Sequence, residues 1–161
     1  MTGQGLSDLC VECGLCCDGS LFRFLPVEPT EVDTYRALAL PVVTQSGRLA
    51  MPLPCARLEA RCCTIYKQRP PGCRAFVCHL GRRLELGDVG FPEALTIVHE
   101  ARRRLDVLRA AAPGPEPVLQ RVTSEGARGA LTSEAAWTAL EATHAWLDEH
   151  IHWPEGPQTG V

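Results

Sequence analysis

All nine cysteines of this 161-residue chain lie between Cys10 and Cys78, and none follows. Four of them crowd into "CVECGLCC", residues 10–17. Disulfides within so short a stretch would be strained. A chain of this length can bury a sizeable core and needs no covalent staple to fold. The opening "MTGQGLSDLC" has no basic n-region and no apolar h-region, so no secretory signal is expected and a cytoplasmic location is, where thiols are kept reduced. No apolar run is long enough to span a bilayer. The formal net charge of −3 argues against general nucleic-acid binding. A reduced chain that confines its cysteines to one half points to metal binding. A redox disulfide relay and inert buried thiols are the competing readings.

The cysteines form two groups: Cys10, Cys13, Cys16 and Cys17, then Cys55, Cys62, Cys63, Cys73 and Cys78 in "CARLEARCCTIYKQRPPGCRAFVC". A C-x-x-C spacing lets one tight turn aim two thiolates at a metal, and Gly14 supplies the backbone freedom such a turn needs. Vicinal cysteines on an extended backbone point to opposite sides. One of each pair can therefore face a metal while the other faces a second centre or packs as a small apolar side chain.

"CVECGLCC" followed by "CTIYKQRPPGCRAFVC" resembles the YkgJ family of cysteine-cluster proteins, whose C-x-x-C-x-x-C-C domain is described as zinc- or iron-chelating. Cys10, Cys13, Cys16 and Cys17 match its signature, and Cys55 its middle cysteine. Cys63, Ile65, Tyr66, Arg69, Pro70, Cys73, Arg74, Phe76 and Cys78 match the remainder. The resemblance covers roughly residues 8–80. It implies a metal held by Cys10, Cys13, Cys16, Cys17, Cys55, Cys63, Cys73 and Cys78. Cys62 has no place in the pattern. Some larger relatives, such as flagellin lysine methylase, are enzymes, so catalysis is compatible with the family.

Zinc prefers four N/S ligands, usually from two C-x-x-C knuckles. The C-x-x-C-x-x-C run instead resembles successive thiolates on an iron–sulfur cluster. The proline that follows the fourth ferredoxin-type cysteine is absent, since Asp18 follows Cys17. Zinc or iron is expected, with an iron–sulfur cluster slightly favoured.

Around the second group, Arg57, Arg61, Lys67, Arg69, Arg74, Arg82 and Arg83 outnumber the single acid Glu59. Guanidinium groups stabilise thiolates and lower thiol pKa values. A solvated basic face, or Arg forks that take an anionic substrate, would give the same composition. Arg69, before Pro70, is expected to be extended, and Pro70-Pro71-Gly72 to turn the chain sharply and return Cys73 to the site. Tyr66 and Phe76 are read as covers over the metal or as core aromatics.

The fold expected is α+β: a small metal-stabilised cysteine-rich domain with short strands over 8–82, an antiparallel helical region over 91–153 and a disordered tail over 154–161. A strand is read at 20–27, a helix at 30–39 and two strands about Ser46-Gly47. Pro92 opens a helix reaching 111 with Ala94, Val98, Ala101, Leu105 and Leu108 on one face, and Arg102, Arg103 and Arg104 fanned around it and mostly facing solvent. A short helix follows at 117–124, then a glycine break at 126–129. Ser133 caps a last helix with Trp137, Leu140, His144, Leu147 and Ile151 on one stripe.

His79 is weighed as a further ligand or as a donor behind one. His144 reads as a satisfied core histidine, and His99, His150 and His152 as helix-surface residues. Two functions fit: a module that holds metal, or a small metalloenzyme or redox protein with an open site flanked by Arg69, Arg74 and Arg82. The residues name neither a substrate nor a protein partner.

Overall fold

A computed structural model describes residues 4–154. The chain divides into two compact units, one formed by 14–76 and the other by the N-terminal segment through Cys13 together with 77 onward. The architecture is α+β. The tail expected to be disordered lies, beyond Pro154, outside the described residues.

In the 14–76 unit, β1 (Phe24–Pro26), β2 (Val43–Gln45) and β3 (Arg48–Pro52) form an antiparallel sheet ordered β1-β3-β2. The register pairs Leu25 with Met51 and Thr44 with Leu49. The strand expected at 20–27 is shorter than its alternation suggested. The β2–β3 turn falls on Ser46-Gly47, with φ +48° and +79°, the primed geometry that matches strand twist. A 3₁₀ turn at Pro29–Glu31 leads into α2 (Val32–Ala37). The core on this sheet is Val27, Tyr35, Leu40 and Met51, with Cys55, Ile65 and Cys73 packed against it. A second hairpin pairs β4 (Leu58–Glu59) with β5 (Cys62–Cys63). Its two-residue turn, Ala60-Arg61, has φ +45° and +70° without a glycine.

The sharp turn expected at Pro70-Pro71-Gly72 is instead the start of a short helix, α3 (Pro71–Ala75). Proline is pre-set for the first turn of a helix, where its missing N–H is no loss. Arg69 before it is extended, φ −51° and ψ +142°.

The other unit is helical. It contains α1 (Leu6–Cys13), α4 (His79–Leu86), α5 (Phe91–Ala111), α6 (Val118–Ala127) and α7 (Glu134–His150). α5 is the spine: α7, α6, α1 and α4 all pack on it. Its buried face is the expected one, with Ile97 added. α6 reaches Ala127, past the expected end at 124, and stops inside the expected glycine break, where Gly129 takes a left-handed φ of +68°. At Gly126 a Cβ would stand 2.9 Å from the Trp137 ring. The glycine admits an aromatic neighbour. Trp137 is thus a correction to the buried stripe: it is 38% exposed and donates to the Leu131 carbonyl. Leu140, Leu147 and Ile151 are buried as expected. Arg104 is a second correction. It stacks over Trp146 at 4.7 Å and donates to the Ala142 carbonyl, so it ties α5 to α7 rather than facing solvent. Among the described residues no helix is long and apolar enough to cross a membrane.

Candidate metal centre

α1 presents Cys10 and Cys13 three residues apart, hence on one side of the helix. The helix ends at Cys13 because Gly14 takes a left-handed φ of +62°, the common helix terminator. A tight turn follows, in which the amides of Cys17 and Asp18 both donate to the Gly14 carbonyl. All four thiols of this motif are half-buried. The division between the two units passes between Cys13 and Gly14. Cys10 and Cys13 therefore belong to the helical unit, Cys16 and Cys17 to the other.

Within the 14–76 unit, the Cys55 amide donates to the Cys17 carbonyl at 2.8 Å. This bond stitches the end of the first motif to the start of the second. Cys55, Cys63 and Cys73 are then brought together: the Cys55 and Cys63 sulfurs both act electrostatically on Cys73. Burial, followed by these two sulfurs, pushes the Cys73 thiol up to about 11, against the lowering effect of Arg69. Burial also raises Cys55, opposed by the Arg57 amide, which donates to Cys55 Sγ at 3.4 Å. The vicinal pair alternates as strand residues do: Cys63 is half-buried and Cys62 exposed.

Cys78 sits in the helical unit as the N-cap of α4, where its sulfur accepts the Gly81 amide at 3.3 Å. Burial raises its pKa and nearby backbone amides, that of Gly81 first, oppose it. Gly81 leaves room there for the tip of the Leu6 side chain, which a Cβ would meet at 2.7 Å. His79 packs its ring on Trp153, centroids 5.5 Å apart. Its Nδ1 is buried with no hydrogen-bond partner among the described residues.

The two aromatics expected as covers have partners of their own. Tyr66 carries the Arg69 guanidinium 3.7 Å above its ring, and Phe76 meets Phe22 edge-on at 5.1 Å. Among the described residues, no three His, Cys, Asp or Glu side chains already enclose a point where a metal ion would sit. The chemistry of the donors nonetheless suits a thiophilic metal: three neighbouring thiols, an amide aimed at one of them and Arg69 acting on another.

Sequence reasoning missed Tyr35. It is completely buried and its hydroxyl lies beside Cys73 without a hydrogen bond of regular geometry. Its position in the amphipathic α2 reads as simple core, and only the tertiary packing sets it against a cysteine.

The family model CxxCxxCC, "Putative zinc- or iron-chelating domain", matches residues 9–92, more than half of the chain. The chain belongs to the CxxCxxCC family. The YkgJ resemblance is consistent with this membership. No curated protein and no solved structure matches the chain. The CxxCxxCC match spans both cysteine groups and continues into the start of α5.

Proposed function

We propose that this protein is a metal-binding module that holds zinc or iron through cysteine thiolates, with an iron–sulfur cluster as the favoured form. The eight pattern cysteines, Cys10, Cys13, Cys16, Cys17, Cys55, Cys63, Cys73 and Cys78, are the proposed ligands. The observation that carries this reading is that Cys55, Cys63 and Cys73, all half-buried, lie near enough in the 14–76 unit to act electrostatically on one another. A bound metal would supply the positive charge that lets these thiols ionise despite burial. The chain's own part is to hold the sulfurs close, donate the Arg57 amide to Cys55 and keep Arg69 near Cys73.

The alternative is a small metalloenzyme or redox protein whose arginines bind an anionic substrate. Arg69 spends its guanidinium on the Tyr66 ring and carbonyl, and Arg82 pairs with Glu85. Arginines so engaged favour the binding module. The residues 8–82 are proposed to act as the metal-dependent part of the chain, in the cytoplasm.

Elemental analysis and a visible spectrum of protein purified without oxygen test the proposal. Bound zinc or iron in stoichiometric amount is expected. An iron–sulfur cluster would absorb broadly near ~400 nm and bleach with dithionite. Colourless protein with zinc removes the cluster, and protein with neither metal overturns the reading.

A further inference from the structure

Tyr35 lies at the centre of the core of the 14–76 unit, with no exposed surface. Its ring fills the place of a core aromatic, for which phenylalanine would serve. Its hydroxyl is buried and lies beside Cys73 without a hydrogen bond of regular geometry among the described residues. A buried hydroxyl left in that state is a cost to the fold, so its presence needs a reason.

The surroundings supply one. Cys55 and Cys73 pack against the same core cluster. Residue 72, next to Cys73, is a glycine, and a Cβ there would stand 2.9 Å from the Tyr35 oxygen. The space beside Cys73 is thus kept open on one side by the absence of a side chain and entered on the other by a phenol. A protonated thiol is a weak acceptor. A thiolate bound to a metal carries full negative charge and is a good one.

We propose that Tyr35 is a positioning residue of the metal centre, whose phenol donates a hydrogen bond to the Cys73 thiolate once metal is bound. The inference rests on the thiolate reading above. The donated bond withdraws electron density from sulfur, fixes the orientation of Cys73 and satisfies the hydroxyl. Glu31 is the competing acceptor: its carboxylate would stand 3.7 Å from a Cβ added at Gly72. Glu31 is only half-buried, so its carboxylate can be served by water.

Anaerobic titration of the full, reduced chain with Co(II) alone tests this, comparing the wild type with Tyr35→Phe, Gly72→Ala and Glu31→Gln. In the wild type a thiolate-to-Co(II) charge-transfer band should appear. Tyr35→Phe should bind Co(II) about 10- to 100-fold more weakly, the range found when a group supporting a metal ligand is removed. Its band should move to longer wavelength, because an undonated thiolate gives up its electron more easily. Gly72→Ala, which pushes the oxygen aside but leaves the ring, should act in the same direction and covers the case in which Tyr35→Phe folds poorly. Glu31→Gln should bind as the wild type does. An unchanged band and affinity in Tyr35→Phe overturn this inference alone, as does a Glu31→Gln protein that reproduces the loss. No charge-transfer band in the wild type overturns the metal reading and this inference with it.

Discussion

The amide of Cys55 donates to the carbonyl of Cys17 across 2.8 Å. This bond joins residues 38 positions apart and brings the end of the first cysteine motif to the start of the second. Being a backbone bond, it survives replacement of either side chain. Sulfur chemistry can therefore be altered in this unit without cutting the stitch that organises it.

The β4–β5 hairpin sorts the vicinal cysteines. Cys63 pairs across the strand with Leu58 and Cys62 with Glu59, so the two side chains leave opposite faces. Cys62→Ser is expected to keep its full metal content, whereas Cys63→Ser, Cys13→Ser and Cys73→Ser lose it. In the metal-free protein, Cys62, the one exposed cysteine among the nine, should be alkylated first. Mass spectrometry of a brief iodoacetamide pulse reads the order, and metal analysis of each variant reads the ligands. Equal metal loss at Cys62 and Cys63 would mean the pair has been divided wrongly.

That sorting depends on a strained turn. Ala60 and Arg61 occupy the left-handed region, which costs an L-residue roughly 1–2 kcal/mol. Arg61→Gly should stabilise the metal-free hairpin by on the order of 1 kcal/mol, and Arg61→Val should destabilise it by at least as much. Hydrogen exchange at Thr64, whose amide donates to the Arg57 carbonyl within this hairpin, is the readout. Identical protection in both variants would show that the turn is not under strain.

His144 gives the helical unit an acid limit. Its Nε2 lies 2.9 Å from Thr123 Oγ1 on α6. Burial holds its pKa below the ordinary 6.5, with His152 adding to the effect and Asp148 opposing it. A histidine depressed in the fold contributes stability that is present above its unfolded pKa and lost as pH falls through the folded one. Thermal melts followed by circular dichroism between about pH 8 and pH 5 should show the midpoint falling on the acid side. His144→Gln keeps a hydrogen-bonding side chain and removes the titration, so its acid-side decline should be shallower. Parallel curves for the two proteins would exclude His144 as the source.

Chemistry and periodicity were legible in the chain itself. Confinement of the cysteines to residues 10–78 pointed to a zinc- or iron-chelating domain, the family to which the chain belongs, because few other uses need so many reduced thiols in one place. The helical spacing of Ala94, Val98, Ala101, Leu105 and Leu108 announced the buried face of α5, because a side chain's face on a helix follows from local geometry alone. Ser46-Gly47 and Ser133 were readable for the same reason: turns and caps are made by a few adjacent residues. The packing role of Gly126 was not. Read locally it marks a helix end, which falls next to it at Ala127, and only the tertiary structure shows the Trp137 ring in the space that its missing side chain leaves. Tyr35 was hidden likewise. Nothing within a few residues of it marks its hydroxyl as chemically placed, since its neighbours Gly72 and Cys73 arrive from the far end of the unit. Contacts between residues so distant in sequence are set by packing, and it is packing that put a phenol beside a thiol.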